Sequence, residues 1–155
     1  MVEPFNLSEL QGPLNLPFPA STKQVAGLVN GIQTAVMCMS FNDRILVTIS
    51  QKGRLGHWLH VPLENKNPGT EGTHTFPDSD DSLLPISSLT ATSLLGGRIS
   101  GHDTIGQLYA RQIASAIVTK TPTEKRLLVV GLGLETADAD RNVFFAIIDL
   151  VLQCI

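Results

Sequence analysis

Four stretches of this chain hold residues of the kind that do chemistry. The first is KRLLVVGLGLET, Lys125 to Thr136, where an apolar run passes into Gly131-x-Gly133 with Glu135 close behind. A dinucleotide site needs a third glycine three residues after the second, on a turn that opens directly into a helix. That position is Thr136. Glycines two apart share one face of an extended chain, with Leu132 and Leu134 on the other, so the stretch reads as a strand whose glycines let a helix or another backbone come close. The second is His57-Trp58-Leu59-His60. On a strand its two imidazoles face opposite ways, which gives no pair with metal spacing and leaves Trp58 to pack on the sheet. The third, GGRISGHD, puts Ser100, His102 and Asp103 within four residues. A hydrolytic triad is assembled from distant positions, and Gly-x-Ser-x-Gly does not occur in the chain, so this reads as a glycine-rich connection whose Asp103 caps a helix. The fourth, PDSDD, lacks the alternating ligands and closing Glu of a calcium loop and reads as a solvated turn. Glu135, Asp138 and Asp140 sit where carboxylates favour the start of a helix. These residues give no catalytic, cofactor-binding or metal site, and no enzyme activity is expected.

The elements that position these residues belong to a chain of 155 amino acids, long enough to bury one core. A net charge of −3 without basic clusters argues against nucleic acid and anionic membranes as partners. Cys38 and Cys154 each lie among apolar residues, reading as buried reduced thiols in a cytoplasmic or also nuclear protein. The N-terminus carries acids and prolines where a signal peptide needs an uninterrupted apolar run, and no later segment has the length to span a membrane. Pro4, Pro13, Pro17 and Pro19 mark residues 1–20 as a flexible tail. A single domain is expected over 22–155.

Within it, Lys23 to Val29 reads as a strand, and Asn30-Gly31 is the dipeptide that a two-residue hairpin demands. Ile32 to Phe41 follows, then Asn42-Asp43, Arg44 to Ser50, Lys52-Gly53 and Leu55 to Val61, which together predict a four-stranded meander. The composition of Pro62 to Pro85 predicts a mobile loop at 62–85. Ser88 to Leu95 reads as a fifth strand and Thr104 to Thr119 as a helix with a core stripe at Ile105, Leu108, Gln112 or Ile113, Ala116 and Ile117. A strand, Arg126 to Leu134, and a last helix from about Ala139, capped by Thr136 or Asp138, complete an α+β fold. It is a mainly antiparallel sheet of about six strands, in the order ββββ-β-α-β-α, with two helices packed on one face.

Alternation along the strands adds a functional expectation. An antiparallel sheet covered on one side normally reads apolar-in and polar-out. Ile32 to Phe41 instead carries Ile32, Thr34, Val36 and Cys38 on one face and Ala35, Met37, Met39 and Phe41 on the other, and the last strand is apolar on both faces too. Two helices side by side cover only one of them, so the second is expected to be buried against a partner chain. With the glycines placed on the helix side, the expected partner-binding residues are Ala35, Met37, Met39, Val130, Leu132 and Leu134.

The stretch GIQTAVMCMSFNDRILVTISQKGRLGHWLHVPL, Gly31 to Leu63, resembles the proteasome assembly chaperone 3 family in its Gly-x-x-Thr-x-Val start, the Phe before the turn, the Ile-Leu-Val strand and the Gln-x-Gly turn. SLTATSLLGG, Ser88 to Gly97, is similar to the family's strand ending in Leu-Leu-Gly, which the sister fourth-chaperone family shares. The resemblance runs from about Val25 to the end and rests on packing positions. The longer 62–85 loop and the N-terminal tail depart from it. It implies a non-enzymatic chaperone without cofactors. This chaperone pairs with a fourth-chaperone partner, or with a second copy of itself when alone, and binds a proteasome alpha-type subunit to promote alpha-ring formation. Without the resemblance, the residues equally describe an α+β interaction module of another complex, or a small enzyme using the Gly97–Asp103 loop.

Overall fold

A computed structural model describes residues 19–64, 89–97, 101–136 and 140–155. Most of the expected N-terminal tail (1–18 of 1–20) and most of the expected 62–85 loop fall outside these residues, as do Ser100 and Asp138. Six strands form one sheet: β1 (Ser21–Val29), β2 (Ile32–Ser40), β3 (Arg44–Gln51), β4 (His57–Pro62), β5 (Thr92–Leu95) and β6 (Leu127–Gly133). Helices α1 (His102–Lys120) and α2 (Arg141–Leu152) both lie on one face of it, α1 over β4, β5 and β6 and α2 over β1 and β2. The α+β class, the strand number and the one-sided helices match the sequence reading.

The turns behave as their residues dictate. Asn30 and Gly31 take φ of 48° and 76°, the left-handed pair that joins β1 to β2 in a two-residue hairpin, and Lys52 and Gly53 take 52° and 70° where the chain leaves β3. β2 turns into β3 at Asn42-Asp43, where the Phe41 N–H donates to the Arg44 carbonyl at 2.9 Å, so β1, β2 and β3 form an antiparallel meander in unbroken register. The expected fourth strand of that meander is displaced. The sheet order is β1-β2-β3-β6-β4-β5, with β6 parallel to β3 and antiparallel to β4. The β3–β4 connection consequently steps across the end of β6. A Cβ on Gly133 would stand 1.5 Å from the Arg54 carbonyl oxygen, and the Gly56 N–H donates to the Leu132 carbonyl at 3.0 Å. Gly133 makes room for this crossing chain.

Gly131 serves a different neighbour. It pairs with Trp58, and a Cβ there would meet the indole at 2.8 Å, on the face away from the helices. The expectation that both glycines face a helix is thus corrected. The residues facing the helices are Leu128, Val130 and Leu132, beside Ile45, Val47 and Ile49 of β3 and His57, Leu59 and Val61 of β4. Helix approach is made possible from the other partner, by Gly106 of α1, which lies against the His57 ring.

That contact also sets the rotation of α1. Its buried stripe is Gly106, Tyr109, Ala110, Ile113, Ala114 and Ile117, leaving Leu108, expected in the core, 43% exposed. The helix begins at His102 with Gly101 as N-cap and no side-chain cap bond, so Asp103 lies inside the first turn and is not the cap. α2 is capped by Asp140, whose carboxylate accepts from the Asn142 N–H at 2.8 Å, in place of the expected Thr136 or Asp138. Ile147, Ile148, Val151 and Cys154 carry its burial, while Leu152 stays exposed. Both cysteines are buried free thiols, their pKa values pushed up by burial.

Polar groups at the sheet ends are satisfied. Buried Gln51 donates to the Thr34 hydroxyl at 3.0 Å and accepts from the Glu135 N–H at 2.9 Å, joining β2, β3 and the exit of β6. At the opposite end, the Arg126 guanidinium grips both Glu124 oxygens at 2.8 Å and donates to Ser40 Oγ and the Phe41 carbonyl at 2.7 Å. These bonds hold the Glu124 carboxyl at a pKa of about 2, against an ordinary 4.5. A depressed carboxylate contributes stability that is present above its unfolded value and lost as pH falls through the folded one. Acid titration of thermal stability should accordingly show a loss between about pH 4.5 and 2 that is flattened in Glu124→Gln; an unchanged slope in that variant would show that the clamp contributes nothing.

Candidate functional site: a polar cleft and an open sheet face

Two features of the described residues could support function, and they lie on opposite sides of the sheet. The first is a cleft of about 740 Å³ at the start of α1, lined among others by Arg54, His57, Ser93, Gly97, His102, Asp103, Leu132, Leu134 and Thr136. Strand alternation turns His57 to the helix side, and the pairing of Leu59 with Ser93 brings β5's serine to the same side. His57 Nε2 is 2.9 Å from Ser93 Oγ and 3.7 Å from Asp103 Oδ1. Asp103 Oδ2 accepts from Gln107 Nε2 at 2.9 Å, while the buried Oδ1 has no hydrogen-bond partner.

Serine, histidine and aspartate have met here, but in the wrong arrangement for nucleophilic catalysis. A triad relays its proton between opposite ring nitrogens, with serine at one and the carboxylate at the other. Here both partners address Nε2, and the Nδ1 side is closed by α1, where a Cβ on Gly106 would stand only 2.5 Å away. Of the residues singled out in the sequence, Ser100 lies outside the described residues, Asp103 meets His57 and His102 is near enough to act on its charge. His60 points to the opposite face, as expected, and among the described residues no cluster could hold a metal ion.

Burial lowers the His57 pKa, opposed by nearby Asp103 and reinforced by His102. A group whose folded pKa is depressed contributes stability that is complete above its unfolded value, about 6.5, and lost as pH falls through the folded one. Thermal melts should therefore show a falling midpoint below about pH 6.5 that is absent in His57→Gln. Gly106→Ala should destabilise the fold at every pH. The gain in helix propensity of about 1 kcal/mol is outweighed by overpacking of about 1–3 kcal/mol, since the ring it strikes is held by Ser93. Chemical denaturation of Gly106→Ala and of the Gly106→Ala/His57→Ala double variant checks this: only the double variant should recover helix-propensity gain.

The second feature is the sheet face that no helix covers. Pairing registers place Gln24 and Ala26 of β1, Ala35, Met37 and Met39 of β2, Leu46 and Thr48 of β3, Val129 of β6 and Trp58 and His60 of β4 on this one surface. Among the described strand residues, the one charged side chain on this face is Arg44, at its end where β3 begins. Ala35, Met37, Met39, Leu46, Val129 and Trp58 are all half-exposed. Of the six residues expected to bind a partner, Ala35, Met37 and Met39 lie here. Val130 and Leu132 do not: at 0% and 4% exposure they are core, packed beneath the helices, and Leu134 follows β6 into the cleft. A charge at Val130 or Leu132 would be buried without a partner and would unfold the domain, at a cost of about 3–5 kcal/mol. Leu46, Val129 and Trp58 were missed. The signal that finds them is the Trp58-x-His60-x-Pro62 side of β4, which alternates with the apolar His57-x-Leu59-x-Val61 side and so marks the solvent-facing surface.

Residues 47–154 match the family described as proteasome assembly chaperone 3. The chain belongs to this family. Its fold is similar to that of a chain in a crystal structure of a novel chaperone complex for yeast 20S proteasome assembly, with a TM-score of 0.53 and 17% sequence identity over 86% of this chain and 99% of that one. No curated protein matches the chain. The family match opens inside β3 and closes in the last turn after α2, so it spans Trp58 and Val129 of the open face, while β1 and β2 precede it.

Proposed function

We propose that this protein is a non-enzymatic chaperone of proteasome core-particle assembly, working in the cytoplasm or also the nucleus. It pairs through its open sheet face with a partner chaperone of the fourth-chaperone type. The pair then binds an alpha-type subunit and favours correct alpha-ring formation. Family membership supports the assembly role. The observation that carries the pairing is the uncharged, half-exposed apolar surface around Met37, Val129 and Trp58. Monomers rarely leave so continuous a patch to water, and depletion of charge at its centre is what marks the core of an interface.

The mechanism is selection by shape. An assembly factor discriminates between similar subunits by the difference of their affinities for one surface, and it requires no bond to be made or broken. The His57–Ser93–Asp103 cluster supplies no competing catalytic reading, because both partners sit on one imidazole nitrogen.

The test is a tagged pull-down from source extract with mass spectrometry, comparing wild type with Met37→Glu and Val129→Lys. Wild type should recover a second small chaperone and an alpha-type proteasome subunit. Each variant should stay folded by circular dichroism and weaken pairing at least about tenfold, or about 1.4 kcal/mol. Recovery of an unrelated complex, or full pairing by both variants, would overturn the proposal.

A further inference from the structure

The chain's two cysteines meet at the end of the sheet opposite the His57 cleft. Cys38 lies on the helix side of β2 and Cys154 in the last turn after α2, and both belong to the core. Cys154 Sγ donates to the Val36 carbonyl at 3.9 Å, so its sulfur rests on the rung of the β1–β2 ladder where Val36 pairs with Val25. Cys38 is the next residue of β2 on that side, about 7 Å further along. Both thiols line one cavity of about 240 Å³. Exposed Lys23 and Lys120 line it too, so it opens to solvent, and Lys23 is the ladder partner of Cys38. Burial raises the Cys38 pKa, and the Cys154 sulfur is near enough to raise it further, while Lys23 and Arg126 oppose both. The chain has no other cysteine, so within one molecule each has a single possible disulfide partner.

We propose that Cys38 and Cys154 are a dithiol site that a hydroperoxide closes to an intramolecular disulfide, fastening the last turn after α2 to β2. Cys38 is the more accessible, at 9% exposure against 3%, and stands beside Lys23 and Arg126, which favour its thiolate, so it reacts first. Its sulfur attacks the peroxide, the O–O bond breaks, and one oxygen stays on sulfur as a sulfenic acid while water or an alcohol leaves. The Cys154 thiol then attacks that sulfur; the S–S bond forms, the S–O bond breaks and water is released. Two thiols lose two electrons and two protons, and the hydroperoxide takes up both. Closure draws the last turn toward Cys38. That turn can yield, because the Cys154 and Ile155 N–H groups share one acceptor, the Val151 carbonyl, at 2.9 and 3.2 Å, and the bond from Lys120 Nζ to the Ile155 carbonyl is exposed. Burial keeps both thiols protonated, so the site answers sustained oxidant and not a brief pulse. Cys38 faces away from Met37 and Met39, and the proposal does not rest on the pairing assigned to them.

Hydrogen peroxide treatment of the folded, purified chain tests this, followed by alkylation of the remaining thiols and peptide mapping without reduction. The map should contain a Cys38–Cys154 linked peptide, the intact mass should fall by two hydrogens, and dithiothreitol should restore both alkylatable thiols. Because the bond ties β2 to the end of α2 and so restricts the unfolded chain, the thermal midpoint should rise by several degrees on oxidation and return on reduction. Cys38→Ala and Cys154→Ala, treated alike, should show no such rise. Thiols that stay free or go only to sulfinic acid, a disulfide found between molecules on a non-reducing gel, or a midpoint that does not rise on closure would each overturn the proposal. Should the alanine variants fail to fold, the wild-type map and its reversal decide the matter alone.

Discussion

Where a side chain on Gly133 would begin, the carbonyl of Arg54 already stands. That contact exists because β6 is slotted between β3 and β4, so the chain leaving β3 must cross the end of β6 before it can enter β4. Much of the molecule follows from the slot. Inserting β6 parallel to β3 and antiparallel to β4 aligns Val47, Val130 and Leu59 in one row and Ile49, Leu132 and His57 in the next, all on the helix side. Burying a side chain such as Val130 or Leu132 completely contributes about 1.5–3 kcal/mol each, so this row arrangement is where the sheet gains its hold on α1 and α2. Any larger residue at 133 would have to displace backbone, which has no rotamer to yield.

The same alignment leaves the other face in a defined state. Trp58 lies flat across Gly131 and does not stand up from the sheet, so the surface around it is level. Its other apolar contributors are alanine, leucine, valine and two methionines, with Thr48 and Gln24 among them. A mixed surface with its charge confined to the Arg44 end suits the planar contact proposed above. Methionine's unbranched thioether lets such a face adapt to a partner without a fixed mould.

How much of this was legible depended on the range of the interactions involved. Local signals carried through: Asn30-Gly31 and Lys52-Gly53 named their turns because only residues tolerant of positive φ fit there, and strand and helix periodicities located every element to within a few residues. Non-local choices did not. Nothing in Leu55 to Val61 records that β6 will come between it and β3, so the meander was read one strand too long. Alternation does not settle the faces of β6, because both are apolar; its two glycines read as room for a helix but accommodate an indole and a crossing backbone. The phase of α1 was read about one residue early because Leu108 outweighs Gly106 on any hydrophobic scale. The helix turns its glycine inward nonetheless, since only a residue without Cβ fits against His57. Of the site, Ala35, Met37 and Met39 were legible from alternation alone, whereas Trp58 and Val129 join them only through pairing across β6.

His57 makes sense in the same terms. An imidazole in a core needs partners, and two of its neighbours, Ser93 and Asp103, come from separate elements that meet at this ring. Gly97 packs beside both, where a Cβ would stand 2.5 Å from Ser93 Oγ and 2.9 Å from Asp103 Oδ1. The cluster therefore fastens the last, short strand of the sheet to the first turn of α1, at the edge where β5 has few ladder bonds of its own. Polar atoms that resemble catalytic groups in sequence are here doing the work that apolar packing does elsewhere in the sheet. The open face is built mainly from apolar side chains, and that division between a fastened polar cluster and an apolar surface is what the pairing proposed above would use.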